Sequence, residues 1–151
     1  MSNYRVKVAT FAVAREPGAP RIGRALLSSP AEVARVARTL LPDDAREHFG
    51  AFYLDTQNRL VAYHEVSAGI LNATLVTPRD VLGPALRLMG VNAVVVVHNH
   101  PSGDPTPSTE DLALTRQLAD GATLLGLQLH DHVILGDGTT NHVSLSQRGA
   151  I

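Results

Sequence analysis

The chain has 151 residues, 13 basic and 14 acidic, with a formal net charge of -1 and no cysteine. That length fits one domain of the common size of about 100–150 residues. The missing cysteine excludes disulfides, thiolate catalysis and every zinc site built on sulfur, so any metal must be held by imidazole and carboxylate. Lys7 is the sole lysine and the arginines are scattered, which argues against the basic face that phosphate neutralisation requires. No apolar run approaches the roughly 18 residues of a membrane span, and the start Met1-Ser2-Asn3-Tyr4 lacks a secretory pattern. A soluble, cytoplasmic protein without membrane partners is expected.

In chain order, the β-branched and apolar content of residues 4–13 predicts a strand, and the Pro and Gly residues of 15–20 predict a loop. Residues 1–28 therefore read as a strand-bearing arm of the same domain, with the main body at 29–151. Ser29-Pro30-Ala31-Glu32 supplies an N-cap, a proline at the first helical position and an acid three residues on. Val33, Val36, Ala37 and Leu40 follow at helical spacing, predicting a helix to about Leu41. Residues 49–54 and 60–66 predict two strands around the turn at Asp55-Thr56-Gln57-Asn58. A short strand is predicted near 70–76, and Thr77-Pro78-Arg79-Asp80 repeats the capping grammar ahead of a helix to about Met89. Residues 91–97 are a continuous β-branched run, the pattern of a central strand covered on both faces. After the loop from Pro101 to Pro107, Ser108 caps a third helix to about Leu125. Strands at 127–135 and 143–145 complete an α/β arrangement, a mixed sheet with flanking helices.

His98-Asn99-His100 lies where the central strand runs out into a loop. In extended chain, residues two apart face the same side, with Cα atoms roughly 7 Å apart, which lets both rings converge on one ion. A lone His-x-His is a weak signal, because a strand-end histidine is more often a satisfied polar residue. Asp111 is the candidate third ligand, since the first turn of the next helix can fold back onto the strand end. Its spacing from Ser108 is also that of a capping box, and capping alone explains it. Two histidines, one carboxylate and a water would make the open tetrahedron of catalytic zinc.

The segment from His98 to Asp111 resembles the metal motif of JAB/JAMM (MPN) domains, His-x-His-x7-Ser-x2-Asp, at every defined position. The His98-Asn99-His100-Pro101-Ser102-Gly103 loop, Leu54-Asp55-Thr56, residues 69–73, Pro78-Arg79-Asp80 and residues 129–136 are similar to the RadC branch of that family. The resemblance covers roughly Ser29 to the C-terminus. It implies a three-layer fold related to that of cytidine deaminases. It also implies a zinc-dependent hydrolase, a metallopeptidase or isopeptidase cleaving an amide bond through a zinc-bound water, with His98, His100 and Asp111 as ligands.

The resemblance further implies a glutamate general base from an upstream strand, assigned to Glu47 in Arg46-Glu47-His48-Phe49, with Glu65 in reserve. Ser108 matches the family serine that hydrogen-bonds near a developing oxyanion. The expected substrate is a protein or peptide, a ubiquitin-like conjugate being one candidate. The alternative is a metal-dependent nuclease or DNA-repair-associated protein, although phosphodiester chemistry usually prefers magnesium and oxygen-rich ligands. The deaminase reading lacks its Pro-Cys-x-x-Cys. RadC proteins commonly carry a helix-hairpin-helix region, where this chain has its short arm.

Of the remaining histidines, His130 and His132 flank Asp131 on an apolar strand, and one exposed and one partly buried ring are expected. A supporting role behind the metal ligands is the minority expectation for Asp131 or His132. His48, His64 and His142 are expected at the surface.

Overall fold

A computed structural model describes residues 17–18, 23–69 and 76–151. The strand predicted at 4–13 and most of the strand predicted at 70–76 lie outside the described residues. The elements are α1 (Pro30–Leu40), β1 (Glu47–Leu54), β2 (Leu60–Gly69), α2 (Pro78–Ala85), β3 (Ala93–His100), α3 (Thr109–Leu124), β4 (Gln128–Gly136) and β5 (His142–Ser144). The strands form one sheet in the order β2-β1-β3-β4-β5. All neighbours are antiparallel except β3 and β4, which run parallel through the α3 crossover.

β3 sits at the centre and is buried from Ala93 to Asn99. Its alternating valines serve two cores. Val94 and Val96 pack with Phe49, Leu114 and Leu118 under α2 and α3, whereas Val95 and Val97 pack with Phe52, Val33 and Val36 under α1. Each such side chain, fully withdrawn from water, contributes about 1.5–3 kcal/mol relative to exposure. Helices on both faces make the three layers expected of a central strand without a polar side. The fold is α/β, a five-stranded mixed sheet with three flanking helices among the described residues.

Three helix starts share one grammar and differ in execution. At α2 and α3 the box is reciprocal: the Thr77 and Ser108 side chains accept from the Asp80 and Asp111 N–H, and each aspartate accepts from its cap residue's N–H. At α1 Glu32, one methylene longer, reaches past the cap to the Ser28 N–H at 2.9 Å. The second helix stops at Ala85, short of the expected Met89. Pro84 inside it has no N–H to give, the next turn tightens to a bond from the Arg87 N–H to the Pro84 carbonyl, and Gly90 turns away with φ +80°. Among the described residues, no helix is long and apolar enough to cross a membrane.

Candidate metal centre

The carboxyl end of β3 delivers His98 and His100 to the side of the sheet covered by α3, while alternation turns Asn99 the other way. Their Nε2 atoms lie 2.9 Å apart. Asp111, on the first turn of α3, approaches both: Oδ1 is 3.3 Å from His98 Nε2 and Oδ2 is 3.5 Å from His100 Nε2. Among the described residues, these three form the group whose donor atoms all fall within 4.8 Å of one another. Asp111 is thus cap and candidate ligand at once. Its Oδ2 accepts from the Ser108 N–H at 2.8 Å, which leaves Oδ1 aimed at the rings.

The donor set fits a divalent metal on its own chemistry. His100 Nδ1 is 2.8 Å from the Asp104 carbonyl, and a carbonyl only accepts, so that nitrogen carries the hydrogen and Nε2 presents a lone pair. A lone pair, a second imidazole and a carboxylate converging at such distances call for a cation among them. Burial would raise the Asp111 pKa, but the adjacent His100 and His98 rings outweigh it and hold the carboxyl well below the usual range. The Asp111 carboxylate beside it raises the His100 pKa, against an opposing effect of burial.

A cavity of about 480 Å³ opens beside the three donors, and Glu47, Phe49 and Ser108 help to line it. Glu47 begins β1, two residues ahead of the strand predicted at 49–54, and its alternation places it on the same face as Phe49, which is paired with His98. The Phe49 ring stacks on the His98 ring at 5.7 Å and 14°. Glu65 lies elsewhere: it bonds His48 Nδ1 at 2.6 Å and is not among the residues lining this cavity. Ser108 accepts from the Asp111 N–H through Oγ at 3.0 Å and keeps its own hydrogen to donate.

Several neighbours went unread in the sequence. His48, expected at the surface, is 1% exposed, because Asp44 and Glu65 bracket its two ring nitrogens at 2.8 and 2.6 Å and replace water. His64 is exposed and His142 half-buried. His132 is fully buried, not merely in part, while His130 is half-buried. The cause is a register slip between Val94 and Val95, which pair with Leu129 and Asp131. One extra residue, His130, rotates His132 onto the α3 side. Burial, then the neighbouring His98, pushes the His132 pKa well down. Asp131 faces the α1 side, where Ser144 Oγ and the backbone of His132 and Ser146 satisfy it.

Asn99 is buried and fully engaged. Its Oδ1 accepts from the His48 N–H at 2.7 Å, and its Nδ2 donates to the Arg46 carbonyl at 2.8 Å and to Asp137 at 2.7 Å. The two backbone groups it holds flank Glu47. The loop after His100 is held as tightly, since Gly103 adopts φ +85° and its carbonyl occupies the space that a Cβ on Gly136 would need. A side chain at residue 136 has no room.

Fold and donors together define an α/β domain bearing a two-histidine, one-carboxylate site at the carboxyl end of its central strand. Residues 27–150 match the family described as RadC-like JAB domain, and the chain belongs to that family. It is 41% identical over 128 residues to a UPF0758 protein of Desulfitobacterium hafniense, covering 85% of this chain and 55% of the relative. A UPF0758 protein of Methanosarcina mazei is 42% identical over 125 residues, 83% and 53% of the two chains. One of Methanococcoides burtonii reaches 47% over 106 residues, 70% and 45%. The chain spans about half the length of the curated relatives it matches.

Proposed function

We propose that this domain is a zinc-dependent hydrolase of the JAMM type that cleaves an amide bond in a protein or peptide. His98, His100 and Asp111 are its metal ligands and Glu47 its general base. The observation that carries the reading is that Glu47 shares one cavity with three convergent donors, whereas Glu65 is committed to His48 on the other side of the strand. A zinc ion held by His98, His100 and Asp111 would supply Lewis acidity toward water and a carbonyl. Glu47 takes a proton from the attacking water and returns it to the leaving amine. The Ser108 hydroxyl, anchored by the Asp111 N–H, donates toward the oxygen on which charge develops. Phe49 closes the floor behind His98 and keeps water from that side of the ring.

The choice of amide over phosphodiester is supported by charge. Glu47 and Glu110 line the cavity beside the metal ligands and, among the described residues, no arginine or lysine does, so apart from the metal a phosphate would meet carboxylates and no side-chain cation to neutralise it. The test is a paired assay of the purified protein and Glu47→Gln on isopeptide-linked and DNA substrates, with zinc content measured on both. The expected result is about one equivalent of zinc in each and isopeptide cleavage in the wild type alone. Cleavage of DNA only, lost in Glu47→Gln, would replace this reading with a nuclease. Unchanged isopeptide turnover in Glu47→Gln would remove Glu47 as the base.

A further inference from the structure

Behind His98, on the side away from the cavity, runs a chain of hydrogen bonds whose directions are fixed. Thr115 lies four residues after Asp111 on the same face of α3, and its Oγ1 donates to the Asp111 carbonyl at 2.6 Å. A hydroxyl has one hydrogen, so toward His132 Nδ1, also 2.6 Å away, Thr115 can only accept. His132 Nδ1 therefore carries a hydrogen. The ring is fully buried against Phe49 and His98, with no carboxylate among its hydrogen-bond partners, and a second proton would leave a buried charge uncompensated. His132 Nε2 is then bare, and it lies 2.8 Å from His98 Nδ1, which must donate to it. That leaves His98 Nε2 as a lone pair aimed at Asp111 and His100.

We infer that His132 and Thr115 are positioning residues that lock His98 into its ligand tautomer. The geometric basis is that the chain from His98 through His132 and Thr115 ends on the backbone of Asp111. Two of the three donors are thereby linked by a path that does not pass through the cavity. The other tautomer of His98, bare on Nδ1, would need a hydrogen on His132 Nε2 and a bare His132 Nδ1, and Thr115, whose hydrogen goes to the Asp111 carbonyl, has none to give it. Phe49, stacked on one ring and edge-on to the other, fixes both planes. Partners of this kind hold a ligand's ring orientation and basicity, and their loss typically costs roughly 10–100-fold in metal affinity.

The inference rests on the metal-site reading, and two measurements separate the fates of the two. The first is zinc affinity by chelator competition on wild type, Thr115→Val and Thr115→Ser. Thr115→Val keeps the side chain's shape and removes the hydroxyl, and roughly ten-fold or greater weakening is expected, with Thr115→Ser at the wild-type value. Equal affinity in all three overturns the inference. The second is the ring-nitrogen NMR spectrum of the metal-free protein, where His98 and His132 should both be protonated on Nδ1 and bare on Nε2. A hydrogen on His98 Nε2 in the wild type overturns the inference regardless of zinc. Failure of the wild type to bind zinc, with both rings protonated on Nδ1, would defeat the metal reading and leave the orientation standing.

Discussion

Two groupings of histidine and carboxylate stand on either side of the start of β1, with inverted proportions. At His48 one ring lies between two carboxylates, Asp44 and Glu65. Each ring nitrogen has an acceptor to serve, so the ring takes two protons and the grouping closes on itself as an internal ion pair. At His98 and His100 two rings share the single carboxylate of Asp111, and the nitrogens that face each other have more lone pairs than hydrogens between them. The same residue types thus make a filled cluster in one place and a cation-seeking one in the other. What decides is the ratio of rings to carboxylates and the direction in which each outer nitrogen is tied.

The sharpest way to break that contrast is Asp111→Asn. The amide oxygen still accepts from the Ser108 N–H, so the cap and the thermal stability of the metal-free protein should stay near wild type. Zinc affinity should fall by more than the roughly 10–100-fold that outer partners are worth, and calorimetric titration that still found tight stoichiometric zinc would erase the distinction. A smaller effect separates a cap that faces donors from one that faces solvent. Ser108→Ala and Thr77→Ala should each cost about 1 kcal/mol in denaturant melts, but only the change at Ser108 should also weaken zinc binding. If Thr77→Ala weakened zinc equally, the effect would be one of general stability.

The smallest expected effect is at the filled cluster and is read through pH. Burial alone would lower the His48 pKa, yet hydrogen bonds to Asp44 and then Glu65 outweigh it and the net shift is upward. A group raised on folding contributes stability that is fully present below its ordinary value of 6.5 and fades as pH climbs through the raised one. His48→Gln should therefore flatten the decline in stability on the alkaline side of pH 6.5. A wild-type slope retained in that variant would show that His48 is not the proton site.

What the sequence discloses and what it hides divide along physical lines. The helix starts, the central β-branched run and the His-x-His with its downstream aspartate are all local patterns, and local patterns are written in consecutive residues. Asp111 was ambiguous because the capping grammar at Ser29 and Thr77 reads the same; only the fold shows that one helix start faces two imidazoles. The sequence offers His132 only beside Asp131 and as a minority candidate, because a one-residue slip against β3 breaks the alternation by which its direction would be read. His48 was misplaced at the surface because its burial depends on Glu65, which only strand pairing brings near. The sequence predicts α2 to about Met89, whereas the chain tightens into a shorter turn after Pro84 and leaves the helix direction at Gly90.

The buried carboxamide of Asn99 has a mechanical consequence. Backbone pairing of β1 with β3 begins at Phe49 and His98, so the segment carrying Glu47, paired with Gly69 and Ala68 of β2 on its other edge, extends past the last rung that ties it to the strand of the two imidazoles. One side chain that both gives and takes hydrogen bonds replaces the absent rungs, gripping the peptide groups before and after Glu47. Glu47 and the two imidazoles then ride on one frame: sliding β1 along β3 breaks both grips together, so the middle residue of the tripeptide joins the ladder in setting their spacing.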